Sequence, residues 1–258
     1  MTNTTGSKPR TVIVTGAASG IGAATVRMFA QRGDFVVLAD LAPMDKVLEE
    51  IAASGGNGIA VQGDIAAPGQ AKKIVAQALE ATGRVDVLIN NAAYAIGGNV
   101  ETTSEEDFDR TFQVNVKAGF LLTREVIAPM RAAGSGSILF TTAAAGHMGM
   151  SNLLAYGTSK AALVHMVRVL AGDHVRDGIR VNAVSPAGVR TPMRATAARI
   201  MGITDPAVAD ALSPTGRPTE PEEVAELFYY LASPVARQIN GHTIVIDGGT
   251  VAAPLSRR

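Results

Sequence analysis

TVIVTGAASGIGAATV, residues 11–26, decides the architecture. A short β-branched run meets a turn with glycine at 16, 20 and 22, and a helix-like segment, IGAATVRMFAQRG, follows. Apolar residues at both odd and even positions of the run imply a strand covered on both faces. Glycine permits the tight turn and lets backbone N–H groups approach a pyrophosphate. The start of the next helix adds a partial positive charge there. The spacing is G-x-x-x-G-x-G rather than the commoner dinucleotide spacing G-x-G-x-x-G. A plain strand–helix turn with no ligand fits the same residues, so the turn alone leaves both readings open.

Outward from this unit the pattern repeats. Further runs lie at 34–40, 58–62, 85–90, 136–141, 179–185 and 242–247. Between them, PGQAKKIVAQALEATG and PEEVAELFYYLAS carry apolar residues three and four apart. Strand–helix alternation implies βαβ units and a parallel sheet with right-handed crossovers. No linker-like stretch divides the chain. The expectation is one α/β domain over 11–258, a doubly wound parallel sheet of about seven strands with helices on both faces. Residues 1–10 read as a flexible tail, and the less regular 191–215 as a flap over a ligand.

Composition narrows the classes. The chain has 258 residues, 47% of them hydrophobic, with 23 basic and 23 acidic side chains. Zero net charge gives no electrostatic reason to expect nucleic acid or an anionic membrane as partner. The absence of cysteine excludes disulfides, thiol catalysis and cysteine metal sites. The polar MTNTTGSKPR start and the lack of a long apolar run point to a soluble, cytoplasmic protein. Histidines stand at 147, 165, 174 and 242 without ligand spacing, so no metal is expected.

The second run ends at Asp40, 24 residues after Gly16. A carboxylate there accepts hydrogen bonds from an adenosine ribose diol and repels a 2′-phosphate. Neither Leu41 nor Ser19 supplies a compensating cation. The expected cofactor is therefore NAD rather than NADP. Asp64 and Ile65, after the third run, are placed to flank an adenine, although such a pair is also common in plain loops.

TGAASGIG at 15–22, NNAA at 90–93, VNV around Asn115, YGTSK at 156–160, RVNAVSPAGVRTPM at 180–193 and DGG at 247–249 stand in order along the chain. Together they resemble the short-chain dehydrogenase/reductase family, of the classical type. The resemblance implies a single-domain Rossmann fold, a nicotinamide cofactor and hydride transfer between a secondary alcohol and a ketone. It implies a homo-oligomer, usually a tetramer and otherwise a dimer, packed through the helices that carry Asn115 and Tyr156. It makes Tyr156 the acid–base group, Lys160 a ribose ligand, and Asn115 the holder of a relay water. Gly16, Ser19, Gly20, Ile21, Gly22, Asn91, Ala92, Pro186, Val189 and Thr191 match cofactor positions. Ala93 and Ala187 stand where glycine is usual. On the residues themselves, Lys160 shares a helix face with Tyr156, and a nearby ammonium lowers the pKa of a phenol from near 10.

One departure touches the chemistry. The family's serine, thirteen residues before the tyrosine, falls on Ala143, with AAG and Gly149 in register around it. That serine donates a hydrogen bond to the substrate oxygen. Losing such a preorganised donor costs roughly 10²–10³ in turnover. Three explanations stand. Thr142 supplies the hydroxyl if the strand end bulges. His147 or Ser151 on the following loop replaces it. Otherwise the chain is a weak enzyme or an active-site variant; a dinucleotide-binding protein with little turnover, or a lyase or isomerase using Tyr156, are the alternative functions. Ala145, Met148, Met150, Leu153 and Leu154 are expected to line an apolar substrate pocket, with Met193, Arg194 and Arg199 in the flap.

Overall fold

The structure, a computed structural model, describes residues 9–252. Nearly all of the expected N-terminal tail lies outside the described residues. Seven strands, β1 (Thr11–Thr15), β2 (Phe35–Asp40), β3 (Asn57–Gln62), β4 (Val87–Asn90), β5 (Gly136–Thr141), β6 (Ile179–Pro186) and β7 (Thr243–Ile246), form one parallel sheet. Their order is β3-β2-β1-β4-β5-β6-β7.

Alternation along the central strands sends side chains into two separate cores. Val12 and Val14 enter one and Ile13 the other; Leu139 enters the first, and Ile138 and Phe140 the second. The first core is closed by α1 (Gly20–Gln31), α2 (Asp45–Ala53) and α9 (Pro221–Ala232), through Phe29, Ile51 and Phe228. The second is closed by α3 (Gln70–Thr82), α5 (Ala118–Ala133) and α6 (Leu154–His174), through Ile74, Leu122, Met130 and Leu163. Both faces are thus dry over the central strands, which is why β1, β4 and β5 read as continuous apolar runs, while the edge strands β3 and β7 stay partly exposed.

One strand boundary differs from the sequence reading. The fourth strand starts at Val87, because Asp86 turns its side chain onto the Thr11 N–H at 2.7 Å and pairs with Arg84. The helix before α5, α4 (Glu105–Phe112), does not end but passes through a π turn, Gln113–Lys117, into α5. The irregular 191–215 segment folds into two short helices, α7 (Pro192–Ile200) and α8 (Pro206–Ala211).

The strand order reverses between β1 and β4. In an open α/β sheet the crevice at that switch point, beyond the carboxyl ends of the strands, is where ligands bind. The glycine turn, Asn91, the end of β5 and Pro186 all lie on this edge.

Candidate active site

A cleft of about 540 Å³ opens along that edge. Its near end is built on the glycine turn. A side chain at Gly22 would put its Cβ 1.9 Å from the Gly16 carbonyl oxygen, and Gly20, at φ +53°, lies against Thr191. Only glycine lets β1, α1 and the base of α7 meet here. Ser19 precedes the first turn of α1 without capping it through its side chain, and that turn carries no acidic residue. The helix start therefore faces the cleft with free N–H groups and an unopposed partial positive charge.

Asp40 closes the β2 side. Its carboxylate accepts from the Ala18 N–H and the Ala42 N–H, each at 2.9 Å, and Leu41 beside it is exposed. Asp64 is held differently: it pairs with Arg110 at 2.9 Å and accepts from the Ala66 N–H. Arg110 also lines the cleft and was not singled out in the sequence.

Asn91 ties three strands. Its side-chain amide donates to the Thr15 and Gly16 carbonyls, and its amide oxygen accepts from the Thr141 hydroxyl at 3.0 Å. The Thr15 hydroxyl accepts from the N–H groups of Asn91 and Ala92. A hydrogen-bonded clamp thus fixes the ends of β1, β4 and β5, with Ala92 and Ala93 on the cleft wall.

Asn115 is buried inside the π turn. Its amide oxygen accepts from the Tyr94 N–H at 2.7 Å, and its amide nitrogen donates to the Tyr94 carbonyl and the Ser159 hydroxyl. Ser159 in turn donates to the Tyr156 carbonyl at 2.7 Å. The side chain of Asn115 is therefore fully engaged in joining the Asn91–Tyr94 loop to α6. Ser159 escaped the sequence reading; its only signal was its place three residues after Tyr156, on the same face.

Tyr156 and Lys160, one turn apart on α6, both line the cleft. Lys160 is buried and donates to the Thr141 carbonyl at 2.8 Å, with its ammonium 5.6 Å from the centre of the Tyr156 ring. The expected lowering of the Tyr156 pKa is not what the protein alone shows. Burial pushes Tyr156 up to about 12 and Lys160 down to about 8. The reason is that both charged forms lose water, and at this separation the ammonium does not offset that loss.

At the far end, Ala143 continues β5 in extended conformation and lines the cleft. Its neighbour Thr142 is 1% exposed and its hydroxyl donates to the Val184 carbonyl at 3.2 Å. The strand does not bulge, so that hydroxyl turns into the sheet rather than toward Tyr156. His147 and Ser151 are exposed, and neither they nor Met148 line the cleft, whereas Ala145, Met150 and Leu153 do. The loop turns outward after Ala145 because Gly146 packs on the backbone of α6 at Lys160. Of the flap residues, Met193 and Arg194 line the cleft and Arg199 does not; Arg194 is ion-paired with Asp210 of α8. Ile21, Ile65, Pro186, Val189 and Thr191 line it as well. Among the described residues no group of three or more His, Cys, Asp or Glu is gathered to hold a metal, and no helix is long and apolar enough to cross a membrane.

A dinucleotide fits this donor set: a helix start for the pyrophosphate, a carboxylate at the end of β2 for the ribose, and an ammonium beside a phenol at the reacting end. Comparison with known proteins agrees. The family profile described as Enoyl-(Acyl carrier protein) reductase matches residues 16–251. An uncharacterized oxidoreductase of Thermotoga maritima is 38% identical over 94% of this chain and 98% of its own length. A solved structure described as an NAD(P)-dependent gluconate 5-dehydrogenase from Beutenbergia cavernae, with NADP bound at low occupancy, superposes with a TM-score of 0.86. It is 36% identical and covers 94% of this chain and 97% of its own. The 3-ketoacyl-(acyl-carrier-protein) reductase of Brucella melitensis, complexed with NADH, gives 0.85 at 30% identity over 94% of this chain and 98% of its own. The chain belongs to the short-chain dehydrogenase/reductase family of oxidoreductases.

Proposed function

We propose that this short-chain dehydrogenase/reductase interconverts a secondary alcohol and a ketone with a mainly apolar body, using NAD. The observation that carries the reading is the placement of Tyr156 and Lys160, one helical turn apart, on the same cleft as the glycine turn and Asp40. NAD, when bound, supplies the hydride-accepting carbon. Tyr156 takes the alcohol proton on oxidation and returns it on reduction. Lys160, while charged, favours the phenolate and holds the ribose. Asn115 and Ser159 fix the turn of α6 from which both act, and Gly16, Asn91 and Val189 shape the wall behind the cofactor.

Asp40 supports NAD over NADP: no cation of the described residues pairs with its carboxylate, which would repel a 2′-phosphate. Relatives with NADH and with NADP both exist, so the preference belongs to this chain's own residues. The charges lining the cleft favour a neutral substrate. Among the described residues, Arg110 is matched by Asp64 and Arg194 by Asp210, so neither guanidinium is left to receive an anion. Met150, Leu153, Met193, Met201 and Leu212 supply an apolar wall, with α7 and α8 as its lid. We also propose a cytoplasmic homotetramer; exposed Phe108 and Phe120, on α4 and α5, and Val169 on α6 offer apolar surface for it.

A second reading, NAD binding with little redox turnover or proton-transfer catalysis by Tyr156 alone, is favoured by Ala143. One experiment separates the readings. The purified protein is mixed with NAD or NADP and a panel of neutral secondary alcohols, and the absorbance of reduced nicotinamide is followed. Turnover with NAD, weaker with NADP, is expected. Thermal stabilisation by NAD with no turnover points to a binder, and substrate consumption without net reduction of cofactor to a lyase or isomerase.

A further inference from the structure

The reacting oxygen of an alcohol gains alkoxide character as hydride leaves its carbon, and that charge needs hydrogen-bond donors in a water-poor cleft. Among the described residues, the side-chain hydroxyls of Thr141, Thr142 and Ser159 and the amide of Asn115 are already committed. The Thr141 hydroxyl donates to Asn91 and the Thr142 hydroxyl to Val184. The Ser159 hydroxyl donates to the Tyr156 carbonyl, and the amide of Asn115 to Tyr94 and Ser159. Tyr94 directs its hydroxyl at Asp107, 3.4 Å away on α4. His147 and Ser151 lie outside the cleft wall. Lys160 donates to the Thr141 carbonyl, with its ammonium 5.6 Å from the centre of the phenol ring. Where β5 delivers its last residue to the cleft wall, the side chain at position 143 is a methyl with no donor of its own.

We propose that the substrate supplies the missing donor itself: the protein's substrates are vicinal diols, or the corresponding α-hydroxyketones, on an apolar frame. This rests on the oxidoreductase reading and narrows its substrate class. A gauche hydroxyl on the carbon next to the reacting one approaches the reacting oxygen closely enough for a short but bent hydrogen bond, which strengthens as that oxygen gains negative charge. It stands where a serine side chain would otherwise reach, and the small Ala143 leaves room for it. In the oxidation, the C–H bond breaks and its electron pair goes with hydride to the nicotinamide of NAD. The O–H bond of the same carbon breaks, its proton passes to the Tyr156 phenolate, and the C=O bond forms. The products are an α-hydroxyketone, NADH and the proton on Tyr156. The neighbouring hydroxyl keeps its own proton throughout and only donates a hydrogen bond.

The test crosses two proteins with three substrates. Wild type and Ala143→Ser are assayed for NADH formation with indan-1-ol, cis-indane-1,2-diol and cis-2-methoxyindan-1-ol, the last keeping the bulk of the diol but not its proton. In the wild type the diol is expected to exceed both others in kcat/KM by about 10-fold, the size of one ordinary hydrogen bond. Ala143→Ser is expected to raise the two mono-alcohols by roughly 10²–10³, the size of one preorganised donor, and the diol by markedly less. Equal rates for the diol and its methyl ether in the wild type overturn the proposal, as does a uniform gain across all three in Ala143→Ser; either leaves the oxidoreductase reading standing. No NADH from either protein with any of the three, while NAD still raises the melting temperature, removes the oxidoreductase reading and this inference with it. An unshifted melting curve for Ala143→Ser shows that its fold is retained.

Discussion

The two ends of the cleft are built on opposite principles. Toward the β1–β2 end the polar side chains are held in advance: Asn91 clamps three strand ends, Asp40 is held by two backbone N–H groups, and Asn115 and Ser159 lock Tyr94 to the helix of Tyr156. At the β5–α7 end the walls are methyl and thioether groups from Ala143, Met150, Met193 and Met201, and the nearby hydroxyls turn inward. The first end holds a ligand of fixed shape and fixed polarity. The second excludes water and leaves recognition to shape and to whatever polar groups the ligand brings. Chemistry occurs where they meet, at Tyr156.

The sharpest way to break this division is at the meeting point. Tyr156→Phe keeps the ring and removes the proton carrier, so turnover should fall by about 10²–10⁴ while NAD still raises the melting temperature. Equal loss of NAD binding would mean that the two ends are not separable. Next comes Asp40→Ala, which acts at the polar end alone. Removing the charge that repels a 2′-phosphate should move the NADP/NAD ratio of kcat/KM toward NADP by about 10-fold or more, about 1.4 kcal/mol. The ratio between alcohols measured with one cofactor should stay put.

Lys160 tests how much strain the junction holds. Its ammonium titrates at about 8 in the fold against an ordinary 10.5. Between these values the unfolded chain carries the extra proton, so stability rises with pH through the window. The wild type should gain up to about 3 kcal/mol relative to Lys160→Met on going from pH 8 to 10.5, read from denaturant midpoints. A constant difference would show that the ammonium is not buried at a cost. The smallest effect belongs to Ser159→Ala, which removes one link to the Tyr156 carbonyl and leaves one N–H of the Asn115 amide without its acceptor. About 1–2 kcal/mol of stability should go. Through the loosened helix turn, kcat should fall while KM for NAD barely moves; a change confined to KM would place Ser159 in cofactor binding instead.

The same contrast explains what the sequence disclosed. The polar end was legible because backbone geometry dictates it. Gly16, Gly20 and Gly22 are demanded by contacts no other residue permits, and the central strand runs are apolar throughout because both sheet faces are covered there. Asp40 follows from its place at the end of β2. The alanine at 143 was visible through the family resemblance, which puts a serine thirteen residues before Tyr156. Directions of side chains were not visible. That His147 faces out, that the Thr142 hydroxyl turns onto β6, and that Arg194 spends its charge on Asp210 all depend on partners distant in sequence. Nor does a count of residues reveal that burial outweighs the Lys160 charge in setting the Tyr156 pKa, since desolvation is a property of the packed site.

The π turn at Gln113–Lys117 makes the protein more sensitive to length than to composition. It accommodates one residue more than an α turn, so α4 and α5 meet it out of phase with each other. Deleting a single residue there would restore an unbroken helix, an outcome local propensity favours, yet it would swing Asn115 by about 100° around the axis. Both flanking helices would survive such an edit, and the tether between the Tyr94 loop and the Tyr156 helix would not. Indels in this five-residue window should therefore separate folding from catalysis more cleanly than any substitution within it.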